Sequence, residues 1–322
     1  MKHRRLAKSL LAVGAIPLLA AACTSTGSGG GSAGSTGSST TYPVGTFSEA
    51  LSNGFNATNA AKAPPGANVP CTLTAAHPYP VILVHGTFEN QYFNWLELAP
   101  TLANAGYCVY TFNYGANSNT NGVFYGLGDI AQSAAQLQTE VNTVMQETGA
   151  TKVDIVGHSQ GGMMPRYYIN NLGGAADVNM LIGLAPSNYG TTLDGLVTLG
   201  QDLGLVGIAN DVASAIGESL VQQEQGSSFL AALNATPTQP GVQYVVLETK
   251  DDEVVTPYTN AFLPAAPNVQ NILIQDQCPA DTAGHIGMAF DGVVNQDVLN
   301  ALGADSSTFT PTCSSSEYGP GI

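Results

Sequence analysis

Residues 153–162 read Val-Asp-Ile-Val-Gly-His-Ser-Gln-Gly-Gly, and no other stretch constrains the chain as tightly. Val153, Ile155 and Val156 form an apolar run of buried-strand type. The pentapeptide Gly157-His158-Ser159-Gln160-Gly161 follows, and then a segment with helix-like composition. Strand, tight turn and helix are the context in which G-x-S-x-G lifts a serine hydroxyl clear of a sheet. Glycine on both sides is expected because a Cβ there would strike the neighbouring strand or helix. The N–H of Gln160 opens the helix, where unpaired donors and the positive dipole end favour an anion. Ser159 is therefore the candidate nucleophile, and Gln160 N–H one candidate donor to an oxyanion.

Around this stretch the periodicities alternate. Val81–Val84 reads as a strand and runs into His85-Gly86-Thr87, whose Thr87 N–H is a second candidate oxyanion donor. Residues 94–105 have helical spacing, residues 108–114 read as a strand, and Ile130–Thr148 gives the clearest helix, stopped by Gly149. Val178–Leu184, residues 242–247 and residues 269–274 are further strands. Strands alternating with helices predict a mostly parallel central sheet with helices on both faces. Active groups in such sheets collect at the carboxyl ends of strands. Residues 187–241 interrupt the alternation and read as a helical cap or lid with an apolar inner side, suited to a hydrophobic substrate. Residues 42–78, rich in proline, read as an irregular arm on the domain surface.

Charge excludes one class of partner. Four of the eight basic residues (Lys2, Arg4, Arg5, Lys8) lie in the first eight positions, and no acid precedes Glu49. The remainder carries four basic residues against all 23 acids, a balance that repels nucleic acid. The basic start and the apolar run to Ala22 predict a signal peptide over residues 1–22. Leu19-Ala20-Ala21-Ala22-Cys23 resembles a bacterial lipoprotein signal, which implies acylation and membrane attachment at Cys23; simple secretion is the alternative. Residues 24–41 contain only Thr, Ser, Gly and Ala, so a tether is expected over 23–45, with a catalytic domain over 46–322. Either route puts the chain outside the cytoplasm. Cys71, Cys108, Cys278 and Cys313 can then pair, and of three pairings we expect Cys71–Cys108 and Cys278–Cys313, each local to one edge of the sheet. No metal-binding or phosphate-binding motif is present, and neither metal nor cofactor is expected. A monomer is expected.

A serine nucleophile needs a base and an acid. In this arrangement the base comes last in the chain. His77 sits in the arm, and His85 and His158 flank the turns, which leaves His285. The acid falls between Ser159 and His285 at a strand end, where Asp251, Asp252, Asp276 and Asp281 qualify. Asp252 is the first choice and Asp251 the second, because both follow the strand after the insertion. In this scheme the aspartate orients the imidazole and stabilises its protonated form.

Four segments together carry a family resemblance: residues 81–88 (VILVHGTF), 157–166 (GHSQGGMMPR), 252–258 (DEVVTPY) and 284–287 (GHIG). In that order they resemble the secreted bacterial lipases of the lipase class 2 family, over about residues 71–302. The resemblance implies an α/β-hydrolase fold and hydrolysis of triacylglycerols or other carboxylic esters. It also implies that the aspartate before Glu-Val-Val, here Asp252, is the acid. Polyesters, cell-envelope lipid esters and thioesters are alternative substrates for the same triad. A non-catalytic surface lipoprotein on a hydrolase scaffold is the alternative from another class.

Overall fold

The apolar runs become strands. The computed structural model describes residues 41–203, 217–303 and 308–313. Its strands are β1 (Val81–Val84), β2 (Val109–Thr111), β3 (Val153–His158), β4 (Val178–Leu184), β5 (Gln243–Glu248) and β6 (Val269–Leu273). They make one six-stranded sheet in the order β2-β1-β3-β4-β5-β6, and every adjacent pair is parallel. Parallel strands bury both faces, which is why β1 and β3 are buried at every position. On one face Ile82, Val84, Val153 and Ile155 pack against the helices Ile130–Thr148 and Gln160–Asn171, through Leu137, Val141, Met164 and Tyr168. On the other, Val81, Leu83 and Val156 meet Trp95, Leu98 and Leu102, together with Val294 and Val298 of the helix Gly292–Leu302. β3 lies in the interior, so the Ser159 turn is carried by the most enclosed part of the sheet.

Three sequence expectations need correction. The helix expected over residues 94–105 is two helices, Gln91–Asn94 and Leu98–Asn104. Pro100 has no N–H to give to Leu96, so a continuous helix would lack a bond there; the break puts Pro100 in a first turn, where no donor is needed. The arm is not wholly irregular. Phe47–Gly54 is a helix with a capping box, in which Thr46 accepts from Glu49 N and Glu49 caps Thr46 N in return. Its Phe47 and Ala50 are buried against Phe93 and Phe290. The folded body also begins before residue 46: Tyr42 and Asn104 exchange hydrogen bonds of 2.8 and 2.9 Å, and Gly45 N donates to Leu96 O.

The insertion contributes the helices Leu193–Asp202, Glu218–Gln222 and Ser228–Asn234. Leu196, Leu199, Leu203 and Leu220 form a third apolar cluster with Phe88, Leu127, Val254, Ile286 and Phe290, beside the carboxyl ends of the strands. Residues 204–216 of the expected cap lie outside the described residues, as do the signal segment, Cys23 and most of the tether. Both expected disulfides form, Cys71–Cys108 and Cys278–Cys313.

The glycines of the turn behave as their spacing implies. A Cβ on Gly161 would run into the carbonyl oxygens of Val84 and His85, and one on Gly157 into that of Gly161. Backbone cannot yield as a side chain can. Gly161→Ala is therefore expected to cost at least about 3 kcal/mol, read as a fall in Tm or as loss of soluble protein.

Candidate active site

Ser159 takes φ 55° and ψ −122°, between β3 and the helix it caps. A non-glycine residue at such angles stores roughly 1–3 kcal/mol, held here by the packed strand and helix. The turn is fixed further by Ser159 N, which donates to Leu184 O at 2.9 Å. Gly86 closes on it from the β1 side, where a Cβ would stand 3.1 Å from Ser159 Cβ.

Thr87 and Gln160 come together through their side chains. Gln160 Nε2 donates to Thr87 Oγ1 and to Gly126 O, both at 2.8 Å. Gln223, from the insertion, donates to Thr87 Oγ1 at 3.0 Å and accepts from Ser187 Oγ at 3.0 Å. All of these residues are buried. The two loops that carry the candidate oxyanion donors are thus cross-linked by amide side chains, and the insertion is tied to them.

Of the four aspartates weighed, Asp252 meets His285: Nδ1 lies 2.8 Å from Oδ2, and both side chains are fully buried. The other carboxylate oxygen, Oδ1, accepts from Val254 N and Val255 N at 2.8 and 2.7 Å. Asp251 is turned away and donates its N–H to Thr249 Oγ1. Asp281 belongs to its own loop, where Oδ1 accepts from Ala283 N. His285 N donates to Glu253 Oε2 at 3.1 Å, and His285 Nε2 is buried without a hydrogen-bond partner among the described residues. A buried ring nitrogen left unpaired has one lone pair to offer, and the His285 ring lies 5.0 Å from that of His158, the residue before Ser159.

Electrostatics set the order of the titrations. Burial lowers the His285 pKa, but the charge of Asp252, the hydrogen bond to it, and the charges of Glu253 and Glu89 outweigh that, so the pKa is raised. A base must be neutral to accept a proton. The acid limb of kcat/KM is therefore expected to lie above the usual imidazole value of about 6.5, rate being lost as pH falls through it, in a pH series on the free enzyme. His85 is the opposite case. Burial pulls it down to about 4, so it stays neutral, stacked on Tyr114 with Nδ1 at Gly86 O. Glu248 is pushed well above the carboxylate range by burial first and by Asp252 second. Among the described residues no group of three His, Cys, Asp or Glu side chains is placed to hold a metal.

Sequence reasoning overlooked Glu89, Asn94, Gln223 and Glu253. Glu89 carried one signal, an acid three residues after Gly86 in the loop that offers Thr87; the structure buries it, with Oε2 accepting from Gly86 N. Gln223 carried none, because its partner Thr87 is 136 residues away.

This fold and site define an α/β-hydrolase with a serine turn, an imidazole–carboxylate pair and two converging loops. A family model described as Lipase (class 2) matches residues 78–296, more than half of the chain, and the chain belongs to that family. A triacylglycerol lipase of Pseudarthrobacter phenanthrenivorans is 40% identical over 98 residues, 29% of this chain and 28% of the relative. One from Pseudomonas fragi is 30% identical over 172 residues, 50% of each chain. The chain thus spans half or less of the length of these relatives. Among solved structures, Aspergillus fumigatus lipase B superposes with a TM-score of 0.56 at 19% identity, covering 79% of this chain and 56% of that one. The mature form of Bacillus licheniformis lipase BlEst2 gives 0.51 at 17% identity, covering 73% and 96%. At such identities the likeness is one of fold.

Proposed function

We propose that this protein hydrolyses carboxylic esters of hydrophobic acyl chains, triacylglycerols among them, with Ser159, His285 and Asp252 as its triad. The observation that carries the reading is the buried 2.8 Å contact between His285 and Asp252, with Nε2 left unpaired. Ser159 Oγ attacks the ester carbonyl carbon while His285 Nε2 takes the hydroxyl proton. Asp252 stabilises the imidazolium, and the N–H groups of Thr87 and Gln160 receive the oxyanion. Collapse breaks the bond to the leaving alkoxide, which takes the proton from His285. Water then attacks the acyl-enzyme by the same route and releases the acid and free Ser159. Neither metal nor cofactor enters, and the enzyme acts as a monomer.

Support for a hydrophobic substrate comes from the third apolar cluster, where Leu196, Leu199 and Leu220 of the insertion join Phe88, Val254 and Ile286. The relatives' names point the same way. We read residues 187–241 as a cap over this cluster, and the mature enzyme as lying outside the cytoplasm, held by a lipid at Cys23. The two disulfides support an oxidising compartment.

Hydrolysis of p-nitrophenyl esters from acetyl to palmitoyl, with a fluorophosphonate label alongside, tests the proposal. Turnover rising toward longer chains, with labelling at Ser159, is expected. Labelling without turnover at any length would move the substrate to a polyester or envelope ester. No labelling and no turnover would make the scaffold a binder.

A further inference from the structure

A second carboxylate–imidazole pair lies behind His285, and the triad does not use it. Glu89 and His158 are both completely buried, with Glu89 Oε2 3.1 Å from His158 Nδ1. Each end of the pair is attached to part of the site. Glu89 Oε2 also accepts from Gly86 N at 2.8 Å, next to Thr87. His158 Nε2 lies 2.9 Å from the backbone carbonyl oxygen of His285. A carbonyl can only accept, so Nε2 carries the proton and donates it. Asn94 completes the cluster, with Oδ1 3.1 Å from Gly86 N and Nδ2 3.2 Å from His158 Nδ1. The two histidine rings are 5.0 Å apart.

One buried chain of contacts therefore joins the loop after β1, the serine turn and the loop that carries His285. Burying a carboxyl group and an imidazole is costly unless each is paired, and apolar residues would fill the space more cheaply. The arrangement does what apolar filling cannot: it fixes the His285 peptide. Glu253 holds the N–H of His285, His158 holds its carbonyl, and Asp252 holds its ring. The remaining variable is the approach of Nε2 to Ser159, and a misplacement of about 1 Å there can cost on the order of 100-fold in rate.

We propose that Glu89 and His158 are a positioning pair for the base, holding His285 by its backbone while Asp252 holds its ring. This rests on His285 being the base. Glutamine places an amide near imidazole Nε2 and asparagine near Nδ1, so only His158→Gln keeps a donor toward the His285 carbonyl. On ester hydrolysis, His158→Asn is expected to lose about 30- to 100-fold in kcat with KM within about twofold, and His158→Gln to recover most of that loss. The far-downfield proton resonance of the His285–Asp252 hydrogen bond is expected to broaden or vanish in His158→Asn and to persist in His158→Gln. Both variants should lower Tm, His158→Asn somewhat more because it leaves the buried His285 carbonyl without a donor, and both should stay folded at the assay temperature. Glu89→Gln is a second test if His158→Asn does not fold. Glutamine can keep an oxygen toward Gly86 N–H and His158 Nδ1 but removes the charge that faces the buried imidazole, so about a tenfold loss in kcat is expected. Unchanged kcat in His158→Asn or Glu89→Gln would overturn the proposal. So would equal losses in both His158 variants that follow Tm. If wild type hydrolyses no ester, the ester-hydrolase reading fails, and the resonance still decides whether His158 positions His285.

Discussion

Ser159→Ala is expected to lower kcat for ester hydrolysis by on the order of 10⁵- to 10⁶-fold while leaving the fold intact. The loss is large because the triad acts as a unit: without the hydroxyl, His285 has no proton to take and Asp252 no charge to stabilise. What would remain is the catalysis of a binding site with oxyanion donors, roughly 10³- to 10⁴-fold over water. Stability should follow the backbone rather than the hydroxyl. Alanine has the same Cβ at φ 55°, so its Tm should match wild type. Ser159→Gly should be equally inactive yet more stable by about 1 kcal/mol, because glycine accepts that φ without strain. Steady-state kinetics, fluorophosphonate labelling and thermal melts on the three proteins check this. Retained turnover in either variant would remove Ser159 from the chemistry.

What the sequence revealed of this site was what is local or forced. The serine turn is legible because strand, glycines and helix are contiguous, and because the space around Gly157 and Gly161 admits no Cβ. The parallel sheet follows from apolar runs too regular to face water. His285 emerged by elimination among few histidines. Other features depend on partners far apart in the chain. Glu89 meets His158 across 69 residues, and nothing in either neighbourhood announces the other. Gln223 reaches Thr87 from an insertion whose helices are amphipathic but carry no motif. Two misses were avoidable. The Thr46-x-x-Glu49 capping box was present in the sequence, and Pro100 already spoke against a continuous helix over residues 94–105. In both cases a general impression, of a proline-rich arm or of apolar spacing, outweighed a specific local rule.

The choice between Asp251 and Asp252 gives the second large effect. Asp252→Asn is expected to lower kcat by about 10⁴-fold, and Asp251→Asn to change it by less than about twofold. The cause lies in how Asp252 is held. Oδ1 accepts from Val254 N and Val255 N, and Oδ2 faces His285 Nδ1. An asparagine keeps its oxygen on the two backbone N–H groups, which turns its NH₂ toward His285. That group donates to Nδ1 and so leaves the ring proton on Nε2, facing Ser159, where a base is needed. The geometry survives and the tautomer is wrong. The pH profile should change as well. Asp252 is the largest influence raising the His285 pKa against burial, so without its charge the residual activity should extend to lower pH than wild type. Asp251 makes none of these contacts, and its variant should keep the wild-type profile. Equal losses in the two variants would mean that the loop, rather than the Asp252 carboxylate, supports the reaction. A profile that fails to move in Asp252→Asn would mean that His285 is not the group whose protonation limits the rate.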